Sequence, residues 1–447
     1  MNLIFDVEDK PKFGQLIVFA FQQLLAILAA TIAVPMIVGN GMQPAAALFG
    51  AGVGTLVYVL FTKAKSPVFL GSSFAFLGSM AAAFAGAASM EAGYTGLIIG
   101  AILAGLVYVI IALIVKFVGV EWINKLMPAQ VIGPTVAIIG LSLAGNAVGD
   151  LQTCDAGGSV YVALICGLVT LAVVTLCSVY GKKMGKLIPF IIGICAGYVL
   201  ALIFTLIGNA AGVDALKVID FSIFANLKVV SVPEFTFINA FKGVKDIDGA
   251  FIVSIAAAYV PVAFVVFAEH IADHKNISSI IGRDLLEKPG LHRTLLGDGV
   301  GSMVGAFFGG CPNTTYGESV ACVAITGNAS VLTIITTAIL AILISFVGPF
   351  VTFLDSIPAC VMGGVCMSLY GFIAVSGLKM VQKVDLNDNR NLFVVSVILI
   401  AGIGGLALNF GDVTITEVAT ALILGILFNV MLGKKKAEAP QETKEEE

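Results

Sequence analysis

Charge is the scarcest commodity in this chain. Only 12% of its 447 residues are Asp, Glu, Lys or Arg, while 59% are hydrophobic and the mean hydropathy is +1.04. Soluble domains carry about twice that charged fraction, so the composition excludes a soluble globular protein and points to a polytopic membrane protein. Histidine is nearly absent. The three present (His270, His274, His292) lack the spacing of a zinc site. No Cys-x-x-Cys pair occurs among the eight cysteines, which sit mostly inside apolar runs and read as small core residues. No nucleophile–base pair or ligand set falls at membrane depth, which argues against an enzyme and against a bound cofactor or metal. Residues 1–13 are charged and run straight into an apolar segment, unlike a cleavable signal. The net charge of −4 owes much to the acidic tail and says little about partners.

What the chain has instead is long apolar stretches. They lie near 14–37, 44–62, 68–88, 95–118, 128–148, 158–179 and 187–210. After a more polar segment, 211–247, they resume near 250–269, 293–309, 313–327, 329–352, 357–378, 392–410 and 412–432. On a criterion of about 20 residues per crossing this gives about fourteen spans. Cations test the count. With the N-terminus inside, the inner loops hold Lys63, Lys65, Lys116, Lys125, Lys182, Lys183, Lys186, Lys275, Arg283, Lys288, Arg293, Lys379, Lys383, Arg390 and Lys434 to Lys436. The outer cations Lys217, Lys228, Lys242 and Lys245 all fall in the long 211–247 segment, where they weigh little on orientation. Both termini are therefore expected in the cytoplasm. The segment 211–247 itself, rich in Phe and Val and split by Pro233, reads as a short strand or hairpin outside the bilayer. The tail beyond 433 reads as disordered and solvated.

The polar segment divides the spans seven and seven. Seven is odd, so the halves face opposite ways, as in an inverted repeat. The third span of each half is interrupted: Pro67-Val-Phe-Leu-Gly-Ser-Ser-Phe74 in the first, Gly309-Gly-Cys-Pro-Asn-Thr-Thr-Tyr-Gly-Glu318 in the second. Broken backbone at membrane depth survives only where protein buries it or a cavity is lined by it. Paired interruptions at matching places are the best sequence pointer to a transporter's binding site. Glu318 adds a carboxylate, a group that costs about 2.5–3.5 kcal/mol at a bilayer centre. Glu269 and Asp273, four residues apart, share a helix face at the end of the eighth apolar run; the alternative is that they are a solvated helix end.

These groups suit one kind of ligand. The breaks at 70–74 and 313–317 would aim free backbone N–H groups inward, and Glu269 and Glu318 would accept N–H donors. Phe74 and Tyr316 would offer flat apolar faces. A planar ring carrying amide N–H and C=O groups satisfies all of them. The pattern favours a nucleobase over a sugar or a metal ion, although the same amides would hold an anion. A dry pocket favours the protonated form of a carboxyl group. Glu269, Asp273 and Glu318 are thus candidates to carry a coupling proton.

Several motifs bear on family: Leu70-Gly-Ser-Ser-Phe-Ala-Phe76, Ala268-Glu-His270, Asp284-Leu-Leu with Pro289-Gly-Leu-His-Arg293, Pro312-Asn-Thr-Thr-Tyr-Gly-Glu318, Ala324-Ile-Thr326, and Ile357-Pro with Val361-Met-Gly-Gly364. In these the chain resembles the nucleobase–ascorbate transporters, and within them the bacterial uracil permeases. The resemblance implies fourteen spans in a core domain (spans 1–4 and 8–11, here 1–126 and 248–354) and a gate domain (spans 5–7 and 12–14, here 127–247 and 355–433). Residues 434–447 are then a cytoplasmic tail. It implies short antiparallel strands in spans 3 and 10 meeting at the site, within an otherwise all-α fold. It further implies a homodimer in the inner membrane, embedded in lipid, that imports uracil with protons as the core moves against the gate. Carried over by residue, Glu269 and Glu318 would bind the base, the main-chain amides of Phe74 and Gly317 would meet its carbonyls, and Tyr316 would line the site. The chain departs from the family at Ser319 and Ala321, where Asn and Gly are usual, and at Gln22-Gln23, where Gln-His is common. Asp273 stands where the uracil permease has His. A xanthine or urate permease of the same family, or an anion exchanger of the same fold, are the alternatives.

Overall fold

The computed structural model describes residues 3–433 except 120, 183, 411 and 412. The first half contains α1 (Phe13–Val38), α2 (Pro44–Phe61), β1 (Leu70–Ser72), α3 (Leu77–Ala85) and α4 (Met90–Val118). It continues through α5 (Glu121–Leu126), α6 (Ala129–Ser142), α7 (Ala144–Leu151), α8 (Val160–Tyr180), α9 (Met184–Leu187) and α10 (Pro189–Ala211). The second half follows with α11 (Thr236–Gly243), α12 (Gly249–Ile281), α13 (Leu291–Gly309), β2 (Asn313–Thr315), α14 (Gly317–Thr326), α15 (Val331–Ile344) and α16 (Gly348–Asp355). It ends with α17 (Ala359–Val381), α18 (Asn389–Ile403), the hairpin β3 (Leu408–Phe410) and β4 (Val413–Ile415), and α19 (Glu417–Met431). Every apolar stretch marked in the sequence falls on one or two of these elements. Among the described residues, eight helical segments are long and apolar enough to cross a membrane unaided. The chain is a multi-pass, all-α membrane protein with only short strands.

Two stretches differ from the sequence reading. Residues 211–247 form no hairpin: they hold short 3-10 turns and α11, and their one strand-like contact is a single bridge between Val230 and Val347. The apolar pattern there serves aromatic packing instead. Phe235 meets Phe49 at 4.8 Å, and Phe237 stacks on Phe307 at 4.9 Å. The second difference is α12. The apolar run stops at 269, yet the helix continues to Ile281, so Glu269 and Asp273 sit inside it rather than at its end. The tail 434–447 lies outside the described residues.

Helices pack closely where glycines remove the side chain. A Cβ on Gly50 would lie 2.4 Å from the Gly305 carbonyl oxygen, and one on Gly54 2.6 Å from that of Gly301. So α2 and α13 touch backbone to backbone, the packing that small residues permit in membranes. α4, α12 and α15 pack around this pair, as does α1 against α2 and α15. A second set joins α6, α8, α10, α17, α18 and α19.

The strands β1 and β2 lie against the first set. They pair antiparallel, Leu70 with Thr315, Gly71 with Thr314 and Ser72 with Asn313. Each is only three residues long and is followed by a short helix. At 1.5 Å per residue, the ten residues of α14 rise about 15 Å, half a hydrocarbon core. The strand pair therefore falls near mid-depth. Its edge groups are satisfied by neighbours: Leu70 N donates to Thr55 Oγ1 (2.9 Å), which faces the Leu70 carbonyl at 3.2 Å. Asn313 Nδ2 donates to the Gly50 carbonyl (3.2 Å), wedged beside Gly305.

Candidate substrate site

The two interruptions in the sequence become one ribbon. Beyond its paired residues, Ser73 N donates to Pro312 O (2.9 Å) and Tyr316 N to Phe69 O (3.2 Å). Immediately after, Phe74 opens a 3-10 turn leading into α3, and Gly317 opens α14. The first amides of a helix have no partner within it, so each strand delivers bare N–H groups at its end.

Both ends line one cavity of ≈ 580 Å³. Its wall includes Phe74, Tyr316 and Gly317 and the carboxyl-bearing Glu269, Asp273 and Glu318. All six residues singled out in the sequence thus share a single space. The opposite wall comes from the second helix set, with Ile132 and Val136 on α6 and Leu369, Phe372 and Ile373 on α17. A cavity of this size and mixed lining is typical of small-molecule sites.

Each residue is held from behind. Asp273 accepts a bond from Thr315 Oγ1 (2.8 Å), which ties α12 to β2. Gly317 faces the cavity, and a Cβ there would lie 3.8 Å from Asp273 Oδ1. Tyr316 is only 4% exposed. Its hydroxyl donates to the Ser72 carbonyl (2.8 Å) and its ring lies against Gly71, so it braces the ribbon as well as lining the cavity. Phe74 meets Tyr370 of α17 edge-on at 6.3 Å.

Two of the residues that depart from the usual family pattern, Gln23 and Ser319, are in contact. Gln23 Nε2 donates to Ser319 Oγ (2.6 Å), and Ser319 Oγ also accepts from Phe69 N (3.0 Å). A single hydroxyl therefore joins α1, the start of β1 and the first turn of α14.

Sequence reasoning missed a buried network on the far face of α12. His270 Nδ1 pairs with Asp298 Oδ2 (2.7 Å), and its Nε2 with Thr294 Oγ1 (3.0 Å). One turn on, His274 Nδ1 faces the His270 carbonyl (2.8 Å), which can only accept. Nδ1 must then carry a proton, and Nε2 pairs with the Tyr58 hydroxyl (2.7 Å). The two rings stack at 4.0 Å. This network fixes the rotation of α12 that turns Glu269 and Asp273 to the cavity. The signals were present: histidines at i and i+4 in an apolar helix, and an Asp between two glycines in another.

Comparison with known proteins decides the family. A sequence profile described as "Permease family" matches residues 14–410. The uracil permease of Bacillus caldolyticus is 41% identical over 432 residues, covering 96% of this chain and 94% of that protein. This chain belongs to the nucleobase–ascorbate transporter family. The uracil permease of Escherichia coli K12 is 35% identical, covering 98% of this chain and 95% of that one. Among solved structures, the transmembrane domain of the cyanobacterial bicarbonate transporter BicA matches at TM-score 0.61 and 15% identity, over 95% of this chain and all of that domain. SLC26A9 matches at TM-score 0.66 and 13% identity, over 94% of this chain and 66% of that one. At such identity the two structures speak to fold alone, and the fold agrees.

Proposed function

We propose that this family member is a proton-coupled symporter that imports uracil across the cell membrane. One observation carries the reading: the two strand ends and three carboxyl-bearing residues line the same cavity. Uracil presents two ring N–H donors and two carbonyls in one plane. Glu269 and Glu318 take the donors, the amides of Phe74 and Gly317 take the carbonyls, and Phe74 and Tyr316 border the ring. Each unmet partner in a dry site costs about 1–3 kcal/mol, so the pattern selects for both edges at once. The named uracil permeases among the relatives support this base over a purine.

Alternating access also has support. A second cavity of ≈ 500 Å³ shares Phe74 and Ala75 with the first. The first cavity reaches Ser178, Lys186 and Met380, next to loops rich in lysine; the second reaches Asn146 and Glu417, away from them. On this reading the first opens to the cytoplasm, where both termini lie, and the second opens outward. The helix set around α2 and α13 acts as the core, and the set around α6 and α17 as the gate. The core shifts against the gate to exchange access. Asp273, Glu269 and Glu318 carry the proton, and two copies form the dimer.

Three acids in the pocket disfavour anion exchange, because in their ionised form they repel an anion. The test is competition of labelled uracil uptake in proteoliposomes. Unlabelled uracil should abolish it and xanthine should leave it nearly intact. Strong xanthine competition with weak uracil uptake makes the protein a purine permease; chloride- or sulfate-dependent flux unaffected by uracil makes it an anion exchanger.

A further inference from the structure

Behind β2, on the side away from the substrate cavity, lies a small space of ≈ 10 Å³ lined by Tyr108 on α4, Asp298 and Ser302 on α13, and Asn313 on β2. Two buried oxygens on the residues that line it lack a partner in the protein: Asp298 Oδ1 and Tyr108 Oη. Their residues are 1% and 4% exposed. Unmet polar atoms of this kind are rare in native interiors, and two around one space share a cause. The volume matches one water molecule, and the donors and acceptors match its two to four bonds. A side chain could not enter, since Gly105 and Gly299 close the back of the space where α4 and α13 meet.

We propose that a single water molecule occupies this space and bridges Asp298, Tyr108 and Asn313, and that Tyr108 is thereby a positioning residue for substrate binding. The water completes a path of hydrogen bonds from the His270–Asp298 pair to the back of β2. β2 in turn sets the Gly317 amide and, through Thr315, the Asp273 carboxyl group. Removing the tyrosine hydroxyl leaves the water short of a partner and lets β2 settle differently. The substrate part of this inference rests on the uracil reading above; the water does not.

Two measurements test it on the full-length protein. Synchrotron hydroxyl-radical footprinting labels side chains that touch bound water. Tyr108 should label at least tenfold faster than Tyr58, which is also buried but has its hydroxyl bonded to Ser66 and His274. Equal, slow labelling of the two overturns the water. Stoichiometric binding of radioactive sodium that Tyr108→Phe abolishes overturns it too, because a cation then fills the space. For the positioning role, Tyr108→Phe should raise the KM for uracil about tenfold while Vmax and the thermal midpoint stay near wild type. An unchanged KM in the folded variant overturns that role. Should the wild type fail to bind uracil, the uracil reading falls while the footprint still reports on the water.

Discussion

Glu318 stands on the first turn of α14, where a carboxylate suits both the free amides of a helix start and a ligand's N–H donor. Glu318→Gln separates the two roles. The amide keeps the shape but replaces one acceptor oxygen with a donor, so a ring N–H loses its partner. Calorimetry on the purified variant should show uracil affinity reduced by roughly 1–3 kcal/mol or more, to the edge of detection. Unchanged affinity means Glu318 serves only the helix. Asp273 tests the proton. With one oxygen held by Thr315 and the other beside Gly317, Asp273→Asn keeps the bond to Thr315 but cannot exchange a proton. Uracil accumulation driven by an inward proton gradient should fall to the level seen without one, while exchange of uracil across the membrane persists. If gradient-driven accumulation survives, the proton travels by Glu269 or Glu318. At this scale the sequence displayed the acids plainly, since a carboxyl group in an apolar run has few structural uses. It concealed their supports, because the partners of His270 and His274 lie on other helices and distance along the chain gives no hint of contact.

Among the elements, the paired strands β1 and β2 matter most. Three residues are too few for an alternating pattern to declare a strand, so the residue pattern marked each only as a break (Pro312, Gly317 and the polar Asn313-Thr-Thr run in one, Gly71-Ser-Ser in the other), and it was the family resemblance that implied strands. What makes them strands is the neighbourhood. Thr55 and the Gly50 carbonyl satisfy the outer edges of the ribbon. Segment 211–247 failed in the opposite sense: its Phe and Val residues looked like a strand face, but Phe235 and Phe237 pack against Phe49, Phe307 and Phe308. Gly71 offers the sharpest test of the ribbon. A Cβ there would fall 2.3 Å from the Tyr316 ring, and overpacking of this kind costs about 1–3 kcal/mol. In Gly71→Ala the ring must move, the Tyr316–Ser72 bond breaks and the Gly317 amide shifts. Uracil binding should weaken at least tenfold with a lowered thermal midpoint. A variant that binds like wild type removes the Tyr316 brace from the account.

Taken whole, the molecule gathers residues from both ends of its sequence into one mid-depth cavity between two helix sets. Composition and the placement of lysines announced a multi-pass membrane protein, and the paired interruptions announced where its site lies. Neither could announce that Phe74 borders a cavity on either side, since that depends on how α6, α17 and α19 close around it. The measurement that bears most directly on the assignment is an experimental structure of the protein with uracil. The base should lie between the two strand ends, its carbonyls within hydrogen-bonding distance of the Phe74 and Gly317 amides and its N–H groups on Glu269 and Glu318. Uracil bound elsewhere, or with neither amide within reach, contradicts the account.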